Sequence, residues 1–218
     1  MSKQRSCLLF SLTGFILLTA AVALDAIQGI DEEILIILSD DSLSWLSSFT
    51  FFGSTRVIVT ISIFTILILL IYKKLKSAFL LSLSLGIALI AYQFIKEIIA
   101  RPRPEVFLAS HRTLPFLSVH SYPSGHTVGV MTFFLGLCIL GLNMEWSTKN
   151  IIPFLVIPCM VGLGMIVTSN HYLTDVIGAV LLSFTVVLLV MEMDKFYNID
   201  GFLDRVLARV KRDVRKKS

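Results

Sequence analysis

Charge is scarce in this 218-residue chain: Asp, Glu, Lys and Arg supply 16% of it, against 56% for apolar residues. A soluble domain of this size carries roughly a quarter charged residues, so water is excluded as its main solvent and a bilayer takes that place. Cysteine is scarcer still. Cys7, Cys138 and Cys159 lie far apart inside apolar blocks with no C-x-x-C pair. That excludes a disulfide framework or cysteine zinc site and leaves three small buried hydrophobes. Low-complexity tracts and internal repeats are absent too, which excludes a solenoid or an array of modules.

What is present is a series of long apolar runs. A span needs about 20 such residues, and six segments come close enough: 7–24, 54–72, 77–95, 125–143, 150–168 and 175–193. The second is the shortest, with Arg56 and Lys73 placed to snorkel at its ends. In the first, Lys3 and Arg5 precede an apolar stretch ending Ala21-Val22-Ala23, which also reads as a cleavable signal. The length of its apolar run and the five spans that follow favour a retained helix. The expected fold is therefore all-α: a six-transmembrane-helix bundle forming one domain over 1–195, with a tail at 196–218.

The basic residues orient that bundle. With the N-terminus cytoplasmic, 14 of the 19 Lys and Arg fall on inner segments, and only Arg56, Lys96, Arg101, Arg103 and Arg112 fall outside. Residues 25–41 carry six acids and no base. The positive-inside rule then puts both termini in the cytoplasm and the odd loops outside, in a plasma (inner) membrane. In the tail, Phe202, Leu203, Val206, Leu207, Val210 and Val214 recur at helical spacing among Arg and Lys. A basic amphipathic helix on anionic lipids accounts for them, and the absence of base-reading or stacking residues argues against nucleic acid. Residues 31–50 suggest a helix lying at the outer interface.

The residues with chemistry share the outer face. Lys96 ends the third span, and Arg103 follows between Pro102 and Pro104, which enforce extended chain. Tyr122-Pro123-Ser124-Gly125-His126 then opens the fourth span. A helix start offers free N–H groups and a positive dipole end; Gly125 permits close approach and Ser124 adds a hydroxyl. With Lys96 and Arg103 the set forms a cationic cradle suited to phosphate. His171 precedes Asp175 by four residues, so on a helical turn they share a face. The carboxylate could hold Nδ1–H and free Nε2 as a nucleophile, with His126 as general acid. Taken singly, Lys96 or Arg103 is an ordinary snorkelling anchor, and His111 and His120 read as solvated or structural. Ionisable groups gathered at one membrane face mark a site. His171 and Asp175 lack a third ligand at metal spacing, so no zinc site is expected.

The order and spacing resemble the type-2 phosphatidic acid phosphatase superfamily, the integral-membrane relatives of vanadium haloperoxidases and bacterial acid phosphatases. Its pattern is K-x6-R-P, P-S-G-H and S-R-x5-H-x3-D. Lys96-x6-Arg103-Pro104 and Pro123-Ser124-Gly125-His126 match in full, and His171-x3-Asp175 matches the end of the third block. The resemblance covers residues 96–175. It implies a metal- and cofactor-independent lipid phosphatase in which His171 attacks phosphorus to form a phosphohistidine, Asp175 orients it and His126 protonates the leaving group. Lys96, Arg103, Ser124 and the Gly125 amide would hold the phosphoryl oxygens.

One departure stands out. The third block's Ser and Arg fall at Gly164 and Met165, and no arginine lies between Arg112 and Arg205. Losing one donor to a transition state costs about 2–4 kcal/mol, roughly two to three powers of ten in rate. Arg101 or Arg112 could compensate; otherwise the protein is a slow phosphatase, or a lipid-phosphate binder or transporter. An intramembrane serine protease with Ser124 as nucleophile would want Gly where Tyr122 stands. The substrates open to a phosphatase are undecaprenyl diphosphate, phosphatidylglycerol phosphate and phosphatidic acid.

Overall fold

The structure is a computed structural model describing residues 3–38, 41–104, 120–143, 148–203, 205, 206 and 209. Each of the six apolar runs is a helix. They are α1 (Lys3–Ala23), α4 (Thr55–Ile71), α5 (Leu75–Ile99), α6 (Gly125–Asn143), α7 (Thr148–Val167) and α8 (Leu173–Tyr197). Between the first two lie α2 (Gln28–Leu38), a 3₁₀ segment (Asp41–Phe49) and the single turn α3 (Thr50–Gly53). Among the described residues there is no strand, only an isolated bridge between Pro102 and His120.

By length and composition alone, α1, α5 and α8 suffice to cross a membrane, whereas the apolar parts of α4, α6 and α7 are shorter. The stretch expected as one interfacial helix over 31–50 is instead two pieces meeting at 106°. Gly164 explains the second piece. A Cβ there would stand 2.5 Å from the Leu46 carbonyl oxygen, so only a glycine lets the 3₁₀ segment lie against α7.

α6 occupies the middle, packed on α4, α5, α7 and α8, while α1 lies along α8. Small hydroxyls join these helices where their backbones approach. Thr132 donates to Ser183 at 3.1 Å, and Thr185 donates to Ser11 at 3.1 Å, contacts suited to helix pairing in a medium that offers no competing water. The arrangement brings the C-terminal end of α5, the start of α6 and the α7–α8 turn to one end of the bundle. At the other end, Lys76 pairs with Asp194 and Asp200, and Arg5 with Glu192. The tail expected as a helix is helical at residues 199–203, 205, 206 and 209; its basic end lies outside the described residues, as do His111 and Arg112.

Candidate active site

Lys96 sits in the last turn of α5, which ends at Ala100 in the left-handed region (φ 48°) with its N–H on the Lys96 carbonyl. The chain then extends through Pro102 and Pro104. Ser121 clamps it, donating its N–H to the Arg101 carbonyl (2.7 Å) and its hydroxyl to the Pro102 carbonyl (3.0 Å). The first and second motifs are thereby tied directly, side by side. Tyr122 anchors the second from below: fully buried, it stacks on Phe15, shares a 2.8 Å hydrogen bond with Thr19, and presses on Gly178.

At the start of α6 the buried Ser124 oxygen accepts the Thr127 hydroxyl (3.1 Å) and faces its N–H at 3.5 Å. It acts as an N-cap and keeps its own proton free to donate. Its N–H reaches the Asp175 carbonyl (3.1 Å), which joins the second motif to the third. Gly125 lies under Tyr92, whose ring would be 3.1 Å from a Cβ. His126, one residue on, packs on Gly53, and the charges that act on it are those of Arg103 and Lys96.

The α7–α8 turn places His171. Ser169 adopts φ 51°, turning the chain so that the His171 N–H returns to the Met165 carbonyl at 3.1 Å. His171 is 1% exposed. Its Nδ1 lies 3.2 Å from Oδ2 of Asp175, which also accepts the Tyr172 N–H at 3.0 Å. Its Nε2 lies 3.4 Å from a terminal nitrogen of Arg103, a guanidinium that is itself fixed by the Asn170 carbonyl at 2.8 Å. Burial holds the imidazole well below its ordinary range, at about 4, against the opposing pull of Asp175. The ring is therefore neutral near pH 7, with one nitrogen on a carboxylate and the other facing a cation.

Two expected compensators fare differently. Arg112 lies outside the described residues. Arg101 is buried, but its terminal nitrogens go to Asp175 (2.8 Å), Thr174 (2.8 Å), Asp31 (2.7 Å) and Gln28 (2.7 Å). It stands behind the His171–Asp175 pair and not beside Nε2. Met165 is 3% exposed in a cluster with Ile58, Val130 and Val161, so apolar packing fills the place of the family's arginine. Sequence reasoning passed over Asp31, which counted only as one of six loop acids. The signal was its register: on α2 it shares the buried face with Leu35.

Known proteins resemble this chain in sequence and in fold. The chain is 27% identical over 205 residues to phosphatidylglycerophosphatase B of Bacillus subtilis (strain 168), covering 89% of this chain and 96% of the relative. To undecaprenyl-diphosphatase BcrC of the same organism it is 26% identical over 99 residues, covering 45% and 48%. The crystal structure of a transmembrane PAP2 type phosphatidylglycerolphosphate phosphatase from B. subtilis matches with a TM-score of 0.71 at 25% identity, covering 89% of this chain and 97% of that one. Aquifex aeolicus LpxE shares the fold at a TM-score of 0.58 and 20% identity, over 73% of this chain and 93% of its own. The family model for the PAP2 superfamily matches residues 77–198, which include all three motif blocks, and the chain belongs to that superfamily.

Proposed function

We propose that this protein is a membrane lipid phosphatase working through a phosphohistidine at His171. One observation carries the reading: a buried neutral imidazole has Nδ1 on Asp175 and Nε2 turned toward Arg103. The Nε2 lone pair attacks phosphorus, the bond from phosphorus to the leaving oxygen breaks, and His126 gives that oxygen a proton. Water then attacks the phosphoryl group, the P–N bond breaks, and His126 takes the water's proton. Lys96, Arg103, the Ser124 hydroxyl and the Gly125 N–H hold the phosphoryl oxygens throughout. None of these steps calls for a metal, so a chelator should leave the rate unchanged.

A lipid substrate is supported by a cavity of about 170 Å³ beside Gly125, lined by Ile58, Val59, Ala88, Leu89, Tyr92 and Val128 among others. A phosphate on the motifs would leave its hydrocarbon chain in an apolar channel between α4, α5 and α6. Six spans, with both termini cytoplasmic and the site opening outward from a plasma membrane, follow from the charge distribution. Basic residues of the tail would rest on anionic lipids. Phosphatidylglycerol phosphate, phosphatidic acid and undecaprenyl diphosphate are the substrates to test, the first and last being those named by the two B. subtilis relatives.

A protease reading gains nothing, because it gives the cationic side chains Lys96 and Arg103 no role. Transport without turnover needs the cradle but not the nucleophile. Phosphate release from the three lipids by purified protein, beside His171→Ala, separates the two. We expect release from at least one lipid, abolished in the variant. Lipid-phosphate transport that survives in His171→Ala, without release in either protein, would overturn the enzyme reading.

A further inference from the structure

Behind His171 lies a buried charge cluster: Asp31, Arg101 and Asp175, exposed to 1%, 4% and 0%. We propose that Arg101 and Asp31 are positioning residues for His171, acting through Asp175: together they fix the rotation of that carboxylate and preserve its negative charge. This rests on reading the protein as a phosphatase with His171 as nucleophile.

The two oxygens of Asp175 have separate partners. Oδ1 takes a terminal N–H of Arg101 at 2.8 Å, and Oδ2 takes the Tyr172 N–H and faces Nδ1 of His171. With Oδ1 pinned, the carboxylate plane cannot turn away from the imidazole. Arg101 is itself held from several sides. Its other terminal N–H groups go to Thr174, Gln28 and Asp31, its guanidinium lies 4.2 Å from the centre of the Tyr172 ring, and its carbonyl takes the Ser121 N–H. Asp31 completes the frame by accepting both the N–H and the hydroxyl of Thr174, the residue beside Asp175.

Charge explains why two carboxylates share one arginine. Arg101 alone would neutralise Asp175, leaving little attraction for an imidazole that turns cationic on gaining a phosphoryl group. With Asp31 bound to the far side of the guanidinium, the three groups keep one net negative charge, and His171 is the side chain beside it that can become positive. The pull of both carboxylates outweighs burial and holds Arg101 above its ordinary range, so the guanidinium stays charged. One fold element serves this purpose: α2 buries Asp31 and Leu35 while Ile30, Ile36 and Ile37 face outward.

The test uses the full chain, purified, as wild type, Arg101→Gln, Arg101→Lys, Asp31→Asn and His171→Ala. We expect kcat per folded molecule to fall about 10- to 100-fold in Arg101→Gln and Asp31→Asn, the scale seen when groups that orient a site residue are lost, with KM unchanged. Arg101→Lys should recover part of the loss, since an ammonium reaches one carboxylate but not both in fork geometry. A lower melting temperature with unchanged kcat per folded molecule would overturn the proposal, leaving a purely structural role. A second readout needs no turnover. In ¹⁵N-histidine NMR, with the His171 signal assigned by its absence in His171→Ala, the wild type should show the Nδ1–H tautomer and Asp31→Asn or Arg101→Gln a mixture. An unchanged tautomer in the variants would also overturn it. Absence of phosphate release by the wild type would instead count against the phosphatase reading alone.

Discussion

In the proposed mechanism His171 has to be neutral to attack and must become cationic once it has attacked, and its surroundings serve both needs. Burial depresses its pKa to about 4, so the reactive lone pair is present at any pH above that value and is lost as pH falls through it. The acid limb of kcat/KM should therefore lie well below the ordinary imidazole value of about 6.5; an acid limb centred near 6.5 would contradict this. The same shift bears on stability. The unfolded chain binds a proton below about 6.5 while the folded site stays neutral, so this contribution is intact above 6.5 and is lost progressively as pH falls toward 4. Met165 is the other residue whose setting matters. In its cluster with Ile58, Val130 and Val161 an arginine would be set among apolar side chains, and an unpaired buried charge costs about 3–5 kcal/mol. Met165→Arg should lower the melting temperature without raising phosphate release; a faster enzyme would show instead that the missing arginine limits the rate. At this scale the motif residues were legible, because their types and spacing announce the chemistry. Asp31 was not, since its partners lie 70 and 143 positions away and no spacing rule connects them.

Among the elements, glycine sets how closely the site's pieces approach. A Cβ on Gly178 of α8 would stand 2.6 Å from the Tyr122 ring, and Tyr122 is the anchor of the Pro123–Gly125 turn. Gly86 of α5 has nothing within 4 Å of such a Cβ. Gly178→Ala should cost about 1–3 kcal/mol through overpacking and reduce turnover by displacing the turn. Gly86→Ala should be neutral or slightly stabilising, as expected of alanine in a helix. Thermal melting and initial rates on the two variants check both statements, and equal effects would refute them. The six main helices were legible from their apolar runs because burial in lipid needs only composition and length. The bend between α2 and the 3₁₀ segment was not, because it depends on a distant contact: the 3₁₀ segment lies on α7 where Gly164 leaves room for the Leu46 carbonyl.

Across the whole molecule, the two ends of the bundle carry different kinds of charge. One end holds separate lysine and arginine pairs with Asp194, Asp200 and Glu192, partly open to solvent, the pattern of a face that sets orientation. The other concentrates buried Lys96, Arg101, Arg103, His171 and Asp175, the pattern of a site. The uneven distribution of basic residues was visible before any helix was placed, and the motif residues gather at the end that carries the buried charges. The most direct test of the whole account is to mix purified protein with a lipid phosphate radiolabelled on phosphorus, quench within one turnover under alkaline conditions that preserve phosphohistidine, and map the label by peptide. The account requires label on the peptide carrying His171, none in His171→Ala, and loss of label on a chase with unlabelled substrate. Turnover with no label at His171 would contradict it.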